Sequence, residues 1–252
     1  MRPTVLIIAG SDSSGGAGLL RDVQVLTRFD VEARCVVTAV TAQTNTHIAA
    51  SHYLPPQLVR DQMSAAVAAG GIGAIKIGML GARATLEAVA ETLPSRDHIP
   101  VVLDPVLESS SGGSLLEPSG LSALRELLLP RVTVVTPNLP EAARLLSEPM
   151  ATDEKAMIEQ ARRILCLGPE AVLLKGGHAG GEEAVDLLIT SDNAPILIRT
   201  SRINGVLRGT GCALSSAIAA SLALQASLPQ ACERAKHYVW NQLQRSALLS
   251  LR

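Results

Sequence analysis

Aromatic side chains are almost missing from this sequence: one Trp, two Tyr and one Phe make up 2% of its residues. A core without them must pack Ala, Val, Leu and Ile, and the aromatic platforms on which nucleic-acid bases stack are excluded. A surplus of charge is missing too. The formal net charge is -1, so there is no electrostatic basis for a nucleic-acid partner or an anionic membrane surface. Long apolar runs are absent as well, since no stretch approaches the roughly 20 residues that span a bilayer. The apolar run near the N-terminus is short and ends in Gly10, Ser11 and Asp12, which reads as a first strand and not as a signal peptide. The four cysteines, Cys35, Cys166, Cys212 and Cys232, contain no C-x-x-C pair. They read as reduced thiols of a soluble, cytoplasmic protein, neither a disulfide frame nor a zinc site.

What the chain does contain is apolar residues, 47% of the total, enough to bury a sizeable core. Short apolar runs predict strands over 5–9, 34–40, 74–77, 101–104, 132–136, 171–175, 184–190 and 196–200. Helical patterns fall between most of them, over 18–28, 56–69, 83–93, 118–128, 140–146 and 153–165, and two more, 210–224 and 228–248, close the chain. This alternation predicts βαβ units in a mostly parallel sheet with helices on both faces. The runs 184–190 and 196–200 are joined by a turn too short for a helix, so they predict an antiparallel hairpin at the sheet edge. No repeat or linker divides the chain, and residues 1–252 are expected to form a single domain.

Polar residues gather where the strands end, the edge at which open α/β sheets bind ligands. Gly209-Thr210-Gly211-Cys212 opens an Ala/Leu helix. Two glycines let successive N–H groups turn into one concavity, where the helix dipole favours an anion such as a phosphoryl group. A cysteine at such a helix start is expected to have a lowered thiol pKa and can accept a hydroxyl proton. An ordinary glycine-rich helix start with a small buried Cys fits the same residues. Asn138-Leu139-Pro140-Glu141 follows another strand. It suits either the ordering of water on Mg²⁺ beside phosphates or a plain helix start with Pro in the first turn. Asp104 is a strand-end carboxylate stopped by Pro105, and Lys175 is a strand-end cation suited to ATP phosphates. Lys76, inside an apolar strand, reads as a partnered or snorkelling residue, and Lys236 is left undecided. The glycine-rich stretch after the first strand fits neither nucleotide-binding glycine fingerprint. Its small residues suit close approach to a flat substrate, with Asp22 and Gln43 available to read a heterocycle's edge; a buried helical Asp needs a partner, and Gln43 taken alone reads more readily as a loop residue than as a ligand.

In order along the chain, IAGSDSSGGAG (8–18), VTAVTAQT (37–44), KIGML (76–80), VLDPV (102–106), TPNLPEA (136–142), LLKGGH (173–178) and GTGCALSSAIAA (209–220) closely resemble the hydroxymethylpyrimidine/phosphomethylpyrimidine kinases of thiamine biosynthesis. These belong to the ribokinase-like superfamily. The resemblance runs nearly end to end. It implies a three-layer α/β/α fold, ATP and Mg²⁺ as co-substrate and metal, and a homodimer. By that resemblance Cys212 is the base, Gly209 and Gly211 form the anion hole, and Lys175 neutralises phosphate charge. Asn138 and Thr210 fall beside ATP, Asp104 and Glu141 organise the metal, and Gly10, Asp22, Gln43 and Met79 surround the pyrimidine. Arg208 stands where the family usually has His, and 107–109 and 19–21 also depart from the usual pattern. Arg208 beside the anion hole is expected to favour a substrate already carrying a phosphate. A pyridoxal-type vitamer kinase of the same superfamily and a pyrimidine-binding protein without turnover are the alternative readings.

Overall fold

The computed structural model describes residues 2–94, 99–108, 113, 115–177, 181–203, 205 and 207–249. His178, the last residue of the motif 173–178, and Ser109, the last of the stretch 107–109, lie outside them. Nine strands, β1 (Thr4–Asp12), β2 (Glu32–Gln43), β3 (Ile48–Tyr53), β4 (Ile72–Ile77), β5 (Val101–Leu103), β6 (Val134–Val135), β7 (Ala171–Lys175), β8 (Glu183–Thr190) and β9 (Ile196–Ser201), form one sheet in the order β3-β2-β1-β4-β5-β6-β7-β8-β9. The six central strands from β2 to β7 run parallel, while β3, β8 and β9 pair antiparallel with their neighbours. The antiparallel edge hairpin is therefore present as β8 and β9, and a second antiparallel strand, β3, caps the opposite edge.

Helices cover both faces, as short parallel connections require. Val5, Ile7 and Ala9 of β1 pack on one face, and Leu6 and Ile8 on the other. The same alternation places Ala74 with the first group and Ile75 and Ile77 with the second. The first face is covered by α1 (Gly18–Arg28) and, across Leu214, Ala217 and Ile218, by the later helix 210–223. The second face carries α2 (Pro56–Ala68), α3 (Arg83–Thr92), α4 (Pro118–Ala123), α5 (Leu139–Leu146) and α6 (Glu154–Leu165). Two last helices, α7 (Thr210–Ala223) and α8 (Leu228–Leu249), end the described chain. Helix α7 is buried on nearly every side, which explains its lack of a polar stripe: it lies between the sheet and α8.

Three details differ from the sequence-based expectation. The strand β3 was not expected, because IAASHY has few β-branched residues and is mostly exposed at an edge. Residues 10–12 lie inside β1 and not after it; a register shift between Ala9 and Ser11 carries pairing through Asp12. The helix expected over 118–128 keeps α geometry only to Ala123, then passes through a π turn (Leu124–Leu128) and a 3-10 turn (Leu129–Arg131). Pro130 has no N–H to continue the ladder.

Candidate active site

The strand ends surround a cleft of about 840 Å³. Its walls include Gly10, Gln43, Met79, Asp104, Asn138, Glu141, Lys175 and the segment Gly209, Thr210, Gly211 and Cys212. Eleven of the twelve residues singled out from the sequence thus meet in one place, and α/β topology is the reason. Each stands where a parallel strand stops or the following helix begins.

Asp104 follows β5, with its N–H bound to Ile77 O at 2.8 Å. Lys175 ends β7, and its ammonium lies 3.0 Å from Asp104 Oδ1 and 3.7 Å from Glu141 Oε2. Burial opposes charge on Lys175, but Asp104 and then Glu141 outweigh it and hold the ammonium firmly protonated. Asn138 and Glu141 form a reciprocal capping box at the start of α5: Glu141 N–H donates to Asn138 Oδ1 at 2.8 Å, and Asn138 N–H to Glu141 Oε2 at 2.7 Å. The plain helix-start reading of this motif is thus present in the structure, and the same carboxylate still faces Lys175.

Helix α7 begins at Gly209, whose φ of 70° and ψ of 21° are left-handed and suit glycine. No side chain caps this helix start, so the first-turn N–H groups have no intrahelical acceptor. A Cβ at Gly211 would lie 3.3 Å from Lys175 Nζ and 3.5 Å from Asp104 Oδ2. Bare backbone therefore faces the ammonium, leaving a cradle that a phosphate oxygen fits and a side chain would fill. Together with the free N–H groups and Lys175, this donor set suits a nucleotide triphosphate. For a metal, no cluster of three or more His, Cys, Asp or Glu able to hold an ion occurs among the described residues. Asp104 and Glu141 alone suit Mg²⁺ only as it is usually held, by one or two carboxylates with substrate phosphates and water.

Around Gly10 and Met79 the walls come close. A Cβ at Gly10 would lie 2.9 Å from Met79 Sδ, so glycine lets the methionine lie against the bare backbone of β1. Gln43 is held by its backbone: its N–H donates to Ser13 Oγ at 2.8 Å, and Ser13 Oγ donates to Gln43 O at 3.0 Å.

Three expectations are corrected here. Asp22 does not line the cleft. It is fully buried, with one oxygen 2.7 Å from Lys76 Nζ and the other accepting from Ser216 Oγ at 2.8 Å. Lys76 is the member of this pair that faces the cleft; it points from β4 to the face carrying α1 and α7, as Ala74 does two residues earlier. The Cys212 thiol is not lowered. Burial pushes it up to about 11, against the pull of the Lys76 ammonium. The dipole of a helix start is visible in the sequence, but the depth at which that start is buried is not. Arg208 is not a free phosphate donor either. Its terminal nitrogens are engaged by Asp12, Ser14, Thr44 and Asn45. Lys236, left undecided, pairs with Asp186 at 2.9 Å, and Asp186 also accepts Gly176 N–H at 3.1 Å. A lysine on the same face of α8 as the buried Cys232 and Ala235 was the available signal.

Glu141 supplies a test of this electrostatic arrangement. Burial pushes its carboxyl from 4.5 up to about 7, only partly countered by Lys175. A raised folded-state pKa gives stability that is present below pH 4.5 and lost as pH rises to about 7. That shift corresponds to roughly 3 kcal/mol, at about 1.4 kcal/mol per pH unit. Glu141→Gln keeps the acceptor for Asn138 N–H but cannot ionise. Urea unfolding at pH 4.5, 6 and 7.5 is expected to show the wild type losing this much relative to the variant, which becomes the more stable protein at pH 7.5. Parallel pH dependences in the two proteins would refute the raised carboxyl.

With this geometry in place, comparison with known proteins is specific. Residues 12–250 match the phosphomethylpyrimidine kinase family. The hydroxymethylpyrimidine/phosphomethylpyrimidine kinase of Rhizobium meliloti is 42% identical over 95% of this chain and 90% of its own length, and that of Escherichia coli is 40% identical over 87% and 82%. Among solved structures, phosphomethylpyrimidine kinase from Clostridium difficile matches with a TM-score of 0.83 at 33% identity, covering 96% of this chain and 100% of that one. The ADP complex of Bacillus subtilis pyridoxal kinase matches at 0.85 and 32%, covering 94% and 90%. The fold is that of the ribokinase-like kinases, and the chain belongs to the phosphomethylpyrimidine kinase family.

Proposed function

We propose that this protein transfers the terminal phosphoryl group of ATP to the hydroxymethyl oxygen of 4-amino-5-hydroxymethyl-2-methylpyrimidine, and then a second one to the resulting monophosphate, for thiamine biosynthesis. The observation that carries this reading is the convergence of Lys175, Asp104 and the uncapped N–H groups of α7 on one wall of a cleft whose other wall holds Gln43, Met79 and the side-chain-free Gly10. A phosphate-binding end thus faces a slot for a flat ring.

Each residue then has a task. Gln43 orients the ring by its amide, while Gly10 and Met79 close on its faces. Cys212 receives the proton of the attacking hydroxyl as its oxygen bonds to the γ-phosphorus and ADP departs. Gly209, Thr210 and Gly211 N–H groups hold the equatorial oxygens, and Lys175 offsets their charge. Catalysis of this kind rests on positioning and electrostatics more than on covalent chemistry. Asp104 and Glu141, with Asn138 alongside, would hold Mg²⁺, which supplies further neutralisation of phosphate charge. Asp22 acts from behind this wall as the counter-ion of Lys76.

The resemblance to the family supports a single kinase domain that works in the cytoplasm as a homodimer. No described helix is long and apolar enough to cross a membrane. A second reading, phosphorylation of pyridoxal, is favoured by the likeness to pyridoxal kinases; the Staphylococcus aureus enzyme with pyridoxal bound matches at a TM-score of 0.88 and 28% identity over 97% of this chain. Incubation with Mg-ATP and equal amounts of hydroxymethylpyrimidine and pyridoxal, followed by mass analysis of the products, decides between them. Mono- and diphosphorylated pyrimidine are expected. Pyridoxal phosphate alone would establish the second reading.

A further inference from the structure

We infer that Arg208 is a positioning residue whose guanidinium latches the loop after β1 and the turn between β2 and β3 to the start of α7, fixing Gln43 and Cys212 relative to each other. The inference rests on the proposed function, since it assigns the latch to the reaction of that same cleft.

Arg208 immediately precedes the left-handed Gly209. Its Nη1 lies 2.9 Å from Ser14 Oγ, 3.0 Å from Thr44 O and 3.2 Å from Asn45 Oδ1, and its Nη2 lies 3.3 Å from Asp12 Oδ2. One planar fork thus reaches both loops at once, a task a lysine's point charge cannot repeat. The loop after β1 also packs directly on the start of α7, because a Cβ at Gly209 would lie 2.3 Å from Gly16 O. Asp12 in turn organises its own loop, accepting Ser14 N–H at 2.9 Å and Ala17 N–H at 3.0 Å. Ser13, between them, clamps the Gln43 backbone. The chain of contacts therefore runs from Cys212 through Arg208 to Gln43, from the group that takes the proton to the group that reads the ring. Arg208 Nε is buried with no partner among the described residues, so the fork is fixed by its two terminal nitrogens alone.

Steady-state kinetics of Arg208→Ala test the latch. A reacting hydroxyl misplaced by about 1 Å loses on the order of 100-fold in rate. The kcat for transfer to the pyrimidine is expected to fall by about that factor. The KM for ATP should stay within about two-fold of wild type, because Lys175 and the N–H groups remain. ATP hydrolysis should rise relative to transfer, and millimolar guanidinium ion should restore part of the rate. Arg208→Lys keeps the charge without the fork and should lose about ten-fold. If Arg208→Ala fails to fold, the lysine variant decides by the same readings. Wild-type kinetics in either variant overturns the latch, and so does a parallel loss of both KM values and thermal stability without guanidinium rescue. A wild type that phosphorylates no pyrimidine overturns the proposed function and takes the latch with it.

Discussion

Cys212→Ala is expected to lower kcat for phosphoryl transfer by about 10²- to 10⁴-fold, the usual contribution of a positioned general base, while leaving the protein folded. The thiol lies in the first turn of α7 and lines the cleft together with Gly18 at the start of α1, so a hydroxyl entering the cleft between the two helix starts meets it. Its pKa of about 11, raised by burial, means that only a small fraction is thiolate near neutrality. Activity of the wild type should therefore climb with pH above 7.5, beyond the range in which Glu141 titrates, and the climb should vanish in the alanine variant. Cys212→Ser is the stricter test. Its hydroxyl is nearly the same size but is far too weak an acid to carry the charge, so it should share the loss. A serine variant with kcat within about two-fold of wild type would remove Cys212 from the role of base.

The site was legible in the sequence to the extent that it is built from punctuation. Gly10, Asp104, Asn138, Lys175 and the Gly209–Cys212 segment each interrupt an apolar or helical pattern, and a parallel sheet brings all such interruptions to one edge. What escaped depends on contacts that no local pattern encodes. The Arg208 side chain reaches Asp12 across 196 positions of chain. The thiol's rise depends on how deeply α7 sinks between sheet and α8. The strand β3 was hidden because an exposed edge needs no apolar alternation, and its pairing with β2 comes from the turn before it. Lys76 is the instructive case. Its strand parity was readable, and so was the rule that a buried Asp needs a partner, yet nothing local joined residues 54 positions apart.

That pair carries the largest expected effect on stability. Lys76 and Asp22 are 2.7 Å apart with both side chains fully shielded from water. Burial opposes charge on Lys76, but Asp22 outweighs it and keeps the ammonium protonated. Removing one member of such a pair costs about 3–5 kcal/mol, because the other charge stays buried without compensation. For a chain of this size that is a drop in Tm of roughly 10 °C. The two single variants should then differ in their pH dependence. In Lys76→Met the stranded Asp22 carboxyl has a raised folded pKa, so stability is kept at low pH and lost as pH rises. In Asp22→Leu the stranded Lys76 has a lowered folded pKa, so the loss is fullest at low pH and is relieved as pH rises toward the lysine's ordinary value. The double variant, Asp22→Leu with Lys76→Met, replaces the pair by apolar groups and should regain most of the stability. It should nonetheless remain a poorer enzyme, because the Lys76 ammonium pulls the Cys212 thiol down by more than the Asp22 carboxylate pushes it up. Denaturant unfolding and kcat measured on the same three proteins separate these roles. A double variant that recovers stability and activity together would show that the pair serves the fold alone.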